Sequence, residues 1–599
     1  MATTSLPRAA SRGGSFLIEP CTPEDVFSPA ELTDDQKLIG QTAEEFIRNE
    51  VVPHIPDLEQ HKPGLLPQLL KKAGEIGLLG GGVPEEYGGI GLDKASSVQL
   101  AEKLSAYASF GVSHGGHSGI GTLPIVFFGT DEQKKKYLPL LATGEKLAAY
   151  CLSEPQAGSD AQNSRTRAVL SPDGKSWILN GQKMWITNGG FADVYIVFAK
   201  VDGEKFSCFI VEHGFPGFSA GAEEKKMGLK GSSTTAIFFE NCVVPRENLL
   251  HEIGRGHIVA FNILNAGRFS LGAYCTGGAK GTLETASKYA KERFAFGKPI
   301  GDFGLIREKL AEMAIRIFAV ESMIYRSAGL MDRAISSAGD AADKSHQSML
   351  AFEEYAIESS ISKVYGSELL DYVVDEAVQI FGGYGFHEDY PVARAYRDSR
   401  VNRIFEGTNE INRMLIIQML MKRATSGALP LMQEGAKLRE EILAGPLFEE
   451  QPSGPWADEE RILAGVKKAF LLVAGAALEK YRDHLADQQE IVAELSDMVM
   501  ECYAIESSLR RVQKAEDVRG QEASSVMADA ARVFLHDAAD RVEIGARKVL
   551  AAVLEGDMLR TQLAVLRRFL KREPADTVAM RKRVCAAVQA RDHYPFEGR

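Results

Sequence analysis

At 599 residues the chain exceeds the size at which one hydrophobic core usually serves, so several domains are expected. A formal charge of −12 argues against a nucleic-acid partner. The seven cysteines, Cys21, Cys151, Cys208, Cys242, Cys275, Cys502 and Cys585, form no close pair, which argues against a metal or redox motif and reads as reduced, structural thiols of an intracellular protein.

Residues 1–31 carry Arg8 and Arg12 with no acid before Glu19, but Pro7 and Gly13-Gly14 interrupt any amphipathic face. They read as a flexible extension of a cytoplasmic bacterial protein; the mitochondrial matrix is the corresponding compartment for a eukaryotic source. Residues 32–150 form a helical domain, with apolar faces over Gln36 to Val51, Leu66 to Ile76 and Lys94 to Tyr107, interrupted at Pro84 to Gly89. Over 151–265 the period shortens: Arg167 to Leu170, Ser176 to Leu179, Val194 to Phe198 and Thr235 to Phe239 read as strands of a small β-domain, with turns at Pro172-Asp173-Gly174 and Asp202-Gly203. The fold class is α+β.

Helical periodicity returns over 266–425, where Gly267 to Glu292, Leu305 to Met331, Lys344 to Tyr365 and Glu368 to Ile380 predict a four-helix bundle. A Gly/Pro-rich linker over 426–456 precedes a further helical domain over 457–599. There the apolar run Ala469 to Leu478 is too short to cross a bilayer. Beside Lys467-Lys468 it reads first as a buried bundle helix and second as a peripheral membrane attachment. Leu310 to Arg326 recurs without gaps as Leu495 to Arg511, which favours a duplicated bundle over two unrelated amphipathic helices. The second copy has no counterpart of the segments at Gly382 or Glu406, so it should be catalytically empty.

The segment Arg403-Ile404-Phe405-Glu406-Gly407-Thr408-Asn409-Glu410-Ile411-Asn412-Arg413 sets one carboxylate between an apolar pair and a glycine turn, with Thr408 and Asn409 as natural helix caps. Phe405 would raise the Glu406 pKa by desolvation and helix-end amides would lower it, so the sign of the shift stays open. Taken alone, the segment suits a capping glutamate as well as a general base.

With three further segments added, the chain resembles the acyl-CoA dehydrogenase family. These are Tyr150-Cys151-Leu152-Ser153-Glu154-Pro155-Gln156-Ala157-Gly158-Ser159-Asp160, Gly181-Gln182-Lys183-Met184-Trp185-Ile186-Thr187-Asn188-Gly189 and Gln379-Ile380-Phe381-Gly382-Gly383-Tyr384-Gly385-Phe386. The resemblance runs in order from about Leu32 to Met421, and the length and added helices resemble the very-long-chain branch. It implies FAD as cofactor, a long or very long acyl-CoA as substrate and a trans-2-enoyl-CoA as product. It also implies electron-transferring flavoprotein as acceptor and a homodimer.

Glu406 matches the base that removes the α-proton while the β-hydrogen leaves as hydride to the flavin. Ser153, Trp185 and Thr187 match flavin-side positions, and Arg293 matches the arginine that reaches the FAD pyrophosphate, often across a subunit interface. Gln379, Gly382 and Gly383 match the segment that closes on the other end of FAD, and Thr408 and Glu410 are grouped with these contacts. On the substrate side stand Gly116, Ser159, Asn265, Arg268 and Gly407. Gly304 departs from the glutamine of medium-chain members, which leaves that FAD contact open. Gly116 replaces a large acidic residue of those relatives, so an open tunnel is expected there, against the plain reading of a flexible turn. An acyl-CoA oxidase and an assembly protein that keeps the fold are the alternatives.

Overall fold

The computed structural model describes residues 11–339, 343–444 and 454–598. The N-terminal domain is built on helices α1 (Asp34–Phe46), α2 (Leu65–Glu75), α3 (Lys94–Leu104) and α4 (Asp131–Ala142). Thr33 and Thr130 start α1 and α4 through reciprocal capping boxes with Gln36 and Gln133, as threonine three residues before glutamine allows. The expected helix to Val51 changes at Phe46 into a wider turn over Ile47–Val51, just ahead of Pro53, whose ring cannot continue a helix. A second wide turn, Gly115–Gly121, is pinned by two buried histidines: His117 Nδ1 accepts from Ala148 N at 2.9 Å, and His114 Nε2 lies 2.8 Å from Leu78 O.

The β-domain is one eight-stranded sheet in the order β6-β7-β3-β2-β4-β5-β8, with β1 added parallel to β4. Its strands are β1 (Ala148–Cys151), β2 (Arg167–Leu170), β3 (Ser176–Thr187), β4 (Val194–Val201), β5 (Lys205–Glu212), β6 (Phe218–Glu223), β7 (Thr234–Pro245) and β8 (Leu249–Leu250). β4 is a continuous apolar run because both of its faces are covered. β3 extends past the expected Leu179 and stays paired with β7 across register shifts after Leu179 and Lys183.

The catalytic-side bundle comprises α5 (Gly256–Glu292), α6 (Gly304–Ser336), α7 (Ala356–Phe381) and α8 (Asn409–Thr425), with a short helix Lys344–Glu354. The break expected between Tyr365 and Glu368 falls instead at Tyr355. Gly366 serves close packing: a Cβ there would lie 3.0 Å from Gly272 Cα, so α5 and α7 cross backbone to backbone and the helix runs straight through.

Two expectations need correction. Residues 11–31 of the supposed flexible extension are a clasp: Gly13 N and Gly14 N donate to Glu354 Oε1 and Glu358 Oε1 at 2.9 and 2.7 Å, and buried Phe16 packs on Tyr503. Backbone amides answer a buried and a half-buried carboxylate there, which composition alone does not reveal. The supposed linker holds helix α9 (Leu431–Ala444), whose Leu438 is buried and whose Glu441 pairs with Lys468 at 2.8 Å. Its remaining part, 445–453, lies outside the described residues, as do residues 1–10.

The last domain contains α10 (Ala457–Tyr481), α11 (Gln489–Arg519) and α12 (Gln521–Val553). Ala469, Phe470, Val473 and Ala477 are buried in it, so the apolar run belongs to the bundle. Among the described residues no helix is long and apolar enough to cross a membrane.

The echoed helices α6 and α11 pack on each other with reciprocal pairs. Arg326 Nη2 reaches Glu506 Oε2 at 2.8 Å and Arg511 Nη1 reaches Glu321 Oε2 at 2.6 Å, each guanidinium also touching the other copy's serine, Ser507 or Ser322. Arg326 lies over the Tyr503 ring and Arg511 over Phe318, which occupy equivalent positions in the two copies. The repeat therefore forms an interface related by local two-fold symmetry.

Glu506→Leu leaves buried Arg326 and Lys467 without their shared carboxylate. Hydrogen exchange is expected to show α6 and α11 opening more easily by about 3–5 kcal/mol, with part recovered by adding Arg326→Met.

Candidate active site

Glu406 sits in the turn before α8 with φ at +58°, followed by Gly407 at +75°. A left-handed glutamate is strained, and the strain is held by main-chain contacts. The Asn412 side-chain amide donates to the carbonyls of Glu406, Gly407 and Thr408 at 3.3, 2.8 and 3.0 Å, and Arg268 Nε donates to Glu406 O at 3.2 Å. Thr408 is the helix cap, its hydroxyl accepting from Ile411 N. Capping thus falls to Thr408 and leaves the Glu406 side chain free for another task.

One edge of Glu406 faces a cavity of about 2700 Å³, while its carboxyl lies below the surface. Oε2 is buried without a hydrogen-bond partner and occupies a recess that exists because residue 267 is glycine: an added Cβ would stand 2.6 Å from it. Burial raises the Glu406 pKa to about 7, with Arg268 and Lys363 pulling it partly back. The open sign is settled in favour of desolvation, which outweighs two nearby cations. Arg268 Nη1 donates to Asn265 Oδ1 at 3.0 Å, and Lys363 Nζ to Asn409 Oδ1 at 2.6 Å, so both cations have fixed partners.

The sequence-derived site residues divide into two groups. Ser153, Ser159, Trp185, Thr187, Gly116, Asn265, Arg268, Gly407 and Thr408 line the same cavity as Glu406. Ser153 is anchored through its carbonyl to Met184 N, beside the buried Lys183–Glu154 pair at 2.7 Å. Glu154 also accepts from Arg165 N and Thr166 N, closing the loop that carries Ser159. Trp185 has φ at +61° at the β3 irregularity, which turns its indole out to 59% exposure at the cavity wall.

Arg293, Gln379, Gly382, Gly383 and Glu410 lie off that cavity on exposed surface. Arg293 rests over the Tyr384 ring, and an added Cβ at Gly382 or Gly383 would meet no atom within 4 Å. Within the first group, the flat indole of Trp185 and the hydroxyls of Ser153 and Thr187 suit the ring end of FAD. The second fits its phosphate end, with an accessible guanidinium beside bare backbone.

Gly116 lines the cavity, but the direction a side chain would take is occupied: an added Cβ would lie 2.9 Å from Thr187 Cγ2. Gly119, on the same wide turn and also on the cavity wall, has nothing within 4 Å. Sequence reasoning assigned no role to Gly267, Lys363 or Asn412, which shape the Glu406 environment through contacts distant in the chain.

Models of the acyl-CoA dehydrogenase N-terminal, middle and C-terminal domains match residues 33–145, 149–242 and 254–421, and a further model with the C-terminal description matches 465–568. A probable acyl-CoA dehydrogenase of Bacillus subtilis (strain 168) is 48% identical over 97% of this chain and 98% of its own length. The human very long-chain specific acyl-CoA dehydrogenase is 38% identical over 74% of this chain and 69% of its own. The crystal structure of an acyl-CoA dehydrogenase complexed with FAD from Bacillus anthracis superposes with a TM-score of 0.96 at 48% identity, covering 98% of this chain and all of that one.

The pKa shift carries a stability signature. The folded value of about 7 lies above the ordinary 4.5, so the native state retains a proton the unfolded chain releases, and stability falls as pH rises between those values. The full loss is about 3 kcal/mol. Glu406→Gln is expected to raise the thermal midpoint at pH 8 and to leave it nearly unchanged at pH 5.

Proposed function

The chain belongs to the acyl-CoA dehydrogenase family, and from that premise we propose that it oxidises long or very long saturated acyl-CoA thioesters to trans-2-enoyl-CoA. It is an FAD-binding oxidoreductase. The observation that carries the reading is the Glu406 carboxyl: buried, facing the cavity, unpaired at Oε2 and poised near pH 7. A group titrating there is half ionised at working pH and strong enough to take a weakly acidic α-proton.

Arg268 and Asn412 hold the main chain of the turn and leave the carboxylate free to receive that proton. The Glu406 backbone N–H would polarise the thioester carbonyl as negative charge grows on it. FAD, when bound, supplies the acceptor for the β-hydride, a capacity no side chain has. Ser153, Thr187 and Trp185 would hold and cover its ring, and Ser159 and Gly407 would contact the thioester.

Arg293, Gln379, Gly382 and Gly383 would serve the cofactor of a second copy, since they face outward. Exposed Phe296 and Phe386 near them give the homodimer an apolar face to cover. Electron-transferring flavoprotein is the acceptor we assign. The added helices brace the catalytic bundle through the α6–α11 pairing.

Two experiments test this reading. FAD-loaded Glu406→Gln should keep its fold and colour yet lose at least a thousand-fold in palmitoyl-CoA oxidation measured with electron-transferring flavoprotein, because an amide accepts no proton. Near-normal turnover would end the assignment. Gly119→Phe should fill tunnel volume and lower the kcat/KM ratio of hexadecanoyl-CoA to octanoyl-CoA at least ten-fold, each excluded methylene being worth about 0.8 kcal/mol. An unchanged ratio would place the acyl chain elsewhere.

A further inference from the structure

Tyr150 begins one of the sequence motifs, yet the reading above gives it no task. Its ring is fixed edge-on to Phe198 at 5.2 Å, and it lines the cavity that holds Glu406. Its hydroxyl is buried without a hydrogen-bond partner. A buried phenol with no acceptor therefore shares one cavity with a buried carboxylate oxygen that has no donor. Each orphan is costly alone, and each is what the other lacks.

The two cations beside Glu406 already have partners. Arg268, from α5, gives Nε to the Glu406 carbonyl and Nη1 to Asn265, and Lys363, from α7, donates to Asn409. Tyr150 comes from β1, and its hydroxyl is near enough to the Cys208 thiol, Glu406 and Arg268 for their charges to act on it. Burial holds the phenol well above its ordinary pKa, so it stays a donor throughout the working range.

We propose that Tyr150 is a positioning residue for the reaction: its hydroxyl donates to the Glu406 carboxylate as that group swings out of the Gly267 recess toward the substrate α-carbon. The recess then stores the carboxyl with one oxygen unpaired, and the swing gains a charge-assisted hydrogen bond that fixes the direction of attack. The inference rests on Glu406 being the base. A donor to the ionised form also lowers the working pKa of Glu406, easing its ionisation near neutrality.

Tyr150→Phe removes one oxygen and keeps the ring against Phe198. With the FAD-loaded variant and palmitoyl-CoA, kcat should fall about ten-fold while KM stays within two-fold, and the acid limb of the pH profile of kcat should move to higher pH. A merely structural role would not move that limb. A kcat within two-fold of the parent and a superimposable limb would overturn the proposal while leaving Glu406 as the base, whereas full turnover by Glu406→Gln would remove the premise itself.

If Tyr150→Phe loses FAD or fold, 3-fluorotyrosine at position 150 keeps the hydroxyl and strengthens it as a donor. The limb should then move to lower pH. An unmoved limb would overturn the proposal by that route.

Discussion

The withdrawal of one carboxylate from water is the constraint on which the rest of the structure depends. Left to itself, a buried carboxyl with an unpaired oxygen would be too weak an acid to ionise near neutrality. Arg268 and Lys363 limit the shift, so the group titrates near 7. Both cations hold other groups: Arg268 holds the Glu406 carbonyl and Asn265, and Lys363 holds Asn409. The charge is tuned at a distance while the side chain stays free to move a proton.

That arrangement ties the site to the added domain. Asn409, one residue into α8, donates to Glu368 on α7, and Glu368 accepts both Nη atoms of Arg413 at 2.8 and 3.0 Å. Arg413 Nε then reaches Asp497 on α11 at 2.7 Å. The added bundle thus anchors the helix that carries the Glu406 turn. The reciprocal Arg–Glu pairs between α6 and α11 make the same junction rigid from the other side.

The parts legible in the sequence were those with local signals. The period change near residue 151 marked the β-domain, the long helical periods marked the bundles, and the Glu406 motif located a carboxylate on the cavity wall. The repeat from Leu310 to Arg326 was visible as a match, but its two-fold contacts were not, because pairing partners lie far apart in the chain. Three features escaped for a common physical reason. The clasp at Gly13-Gly14, the recess at Gly267 and the tight face of Gly116 depend on what another segment brings against a bare backbone. Gly366 shows the same limit: a glycine that reads as a break is a close helix crossing. The direction of the Glu406 shift also required the three-dimensional balance of burial against two cations.

The most direct measurement is the anaerobic reductive half-reaction of the FAD-loaded protein, followed by flavin bleaching in a stopped-flow instrument. Palmitoyl-CoA and its α,α-dideuterated form are compared across pH 5.5 to 9. A buried Glu406 acting as base requires a bleaching rate that rises with one ionisation near pH 7 and slows on α-deuteration. A rate flat through that range, and equal for the two substrates, would contradict the account.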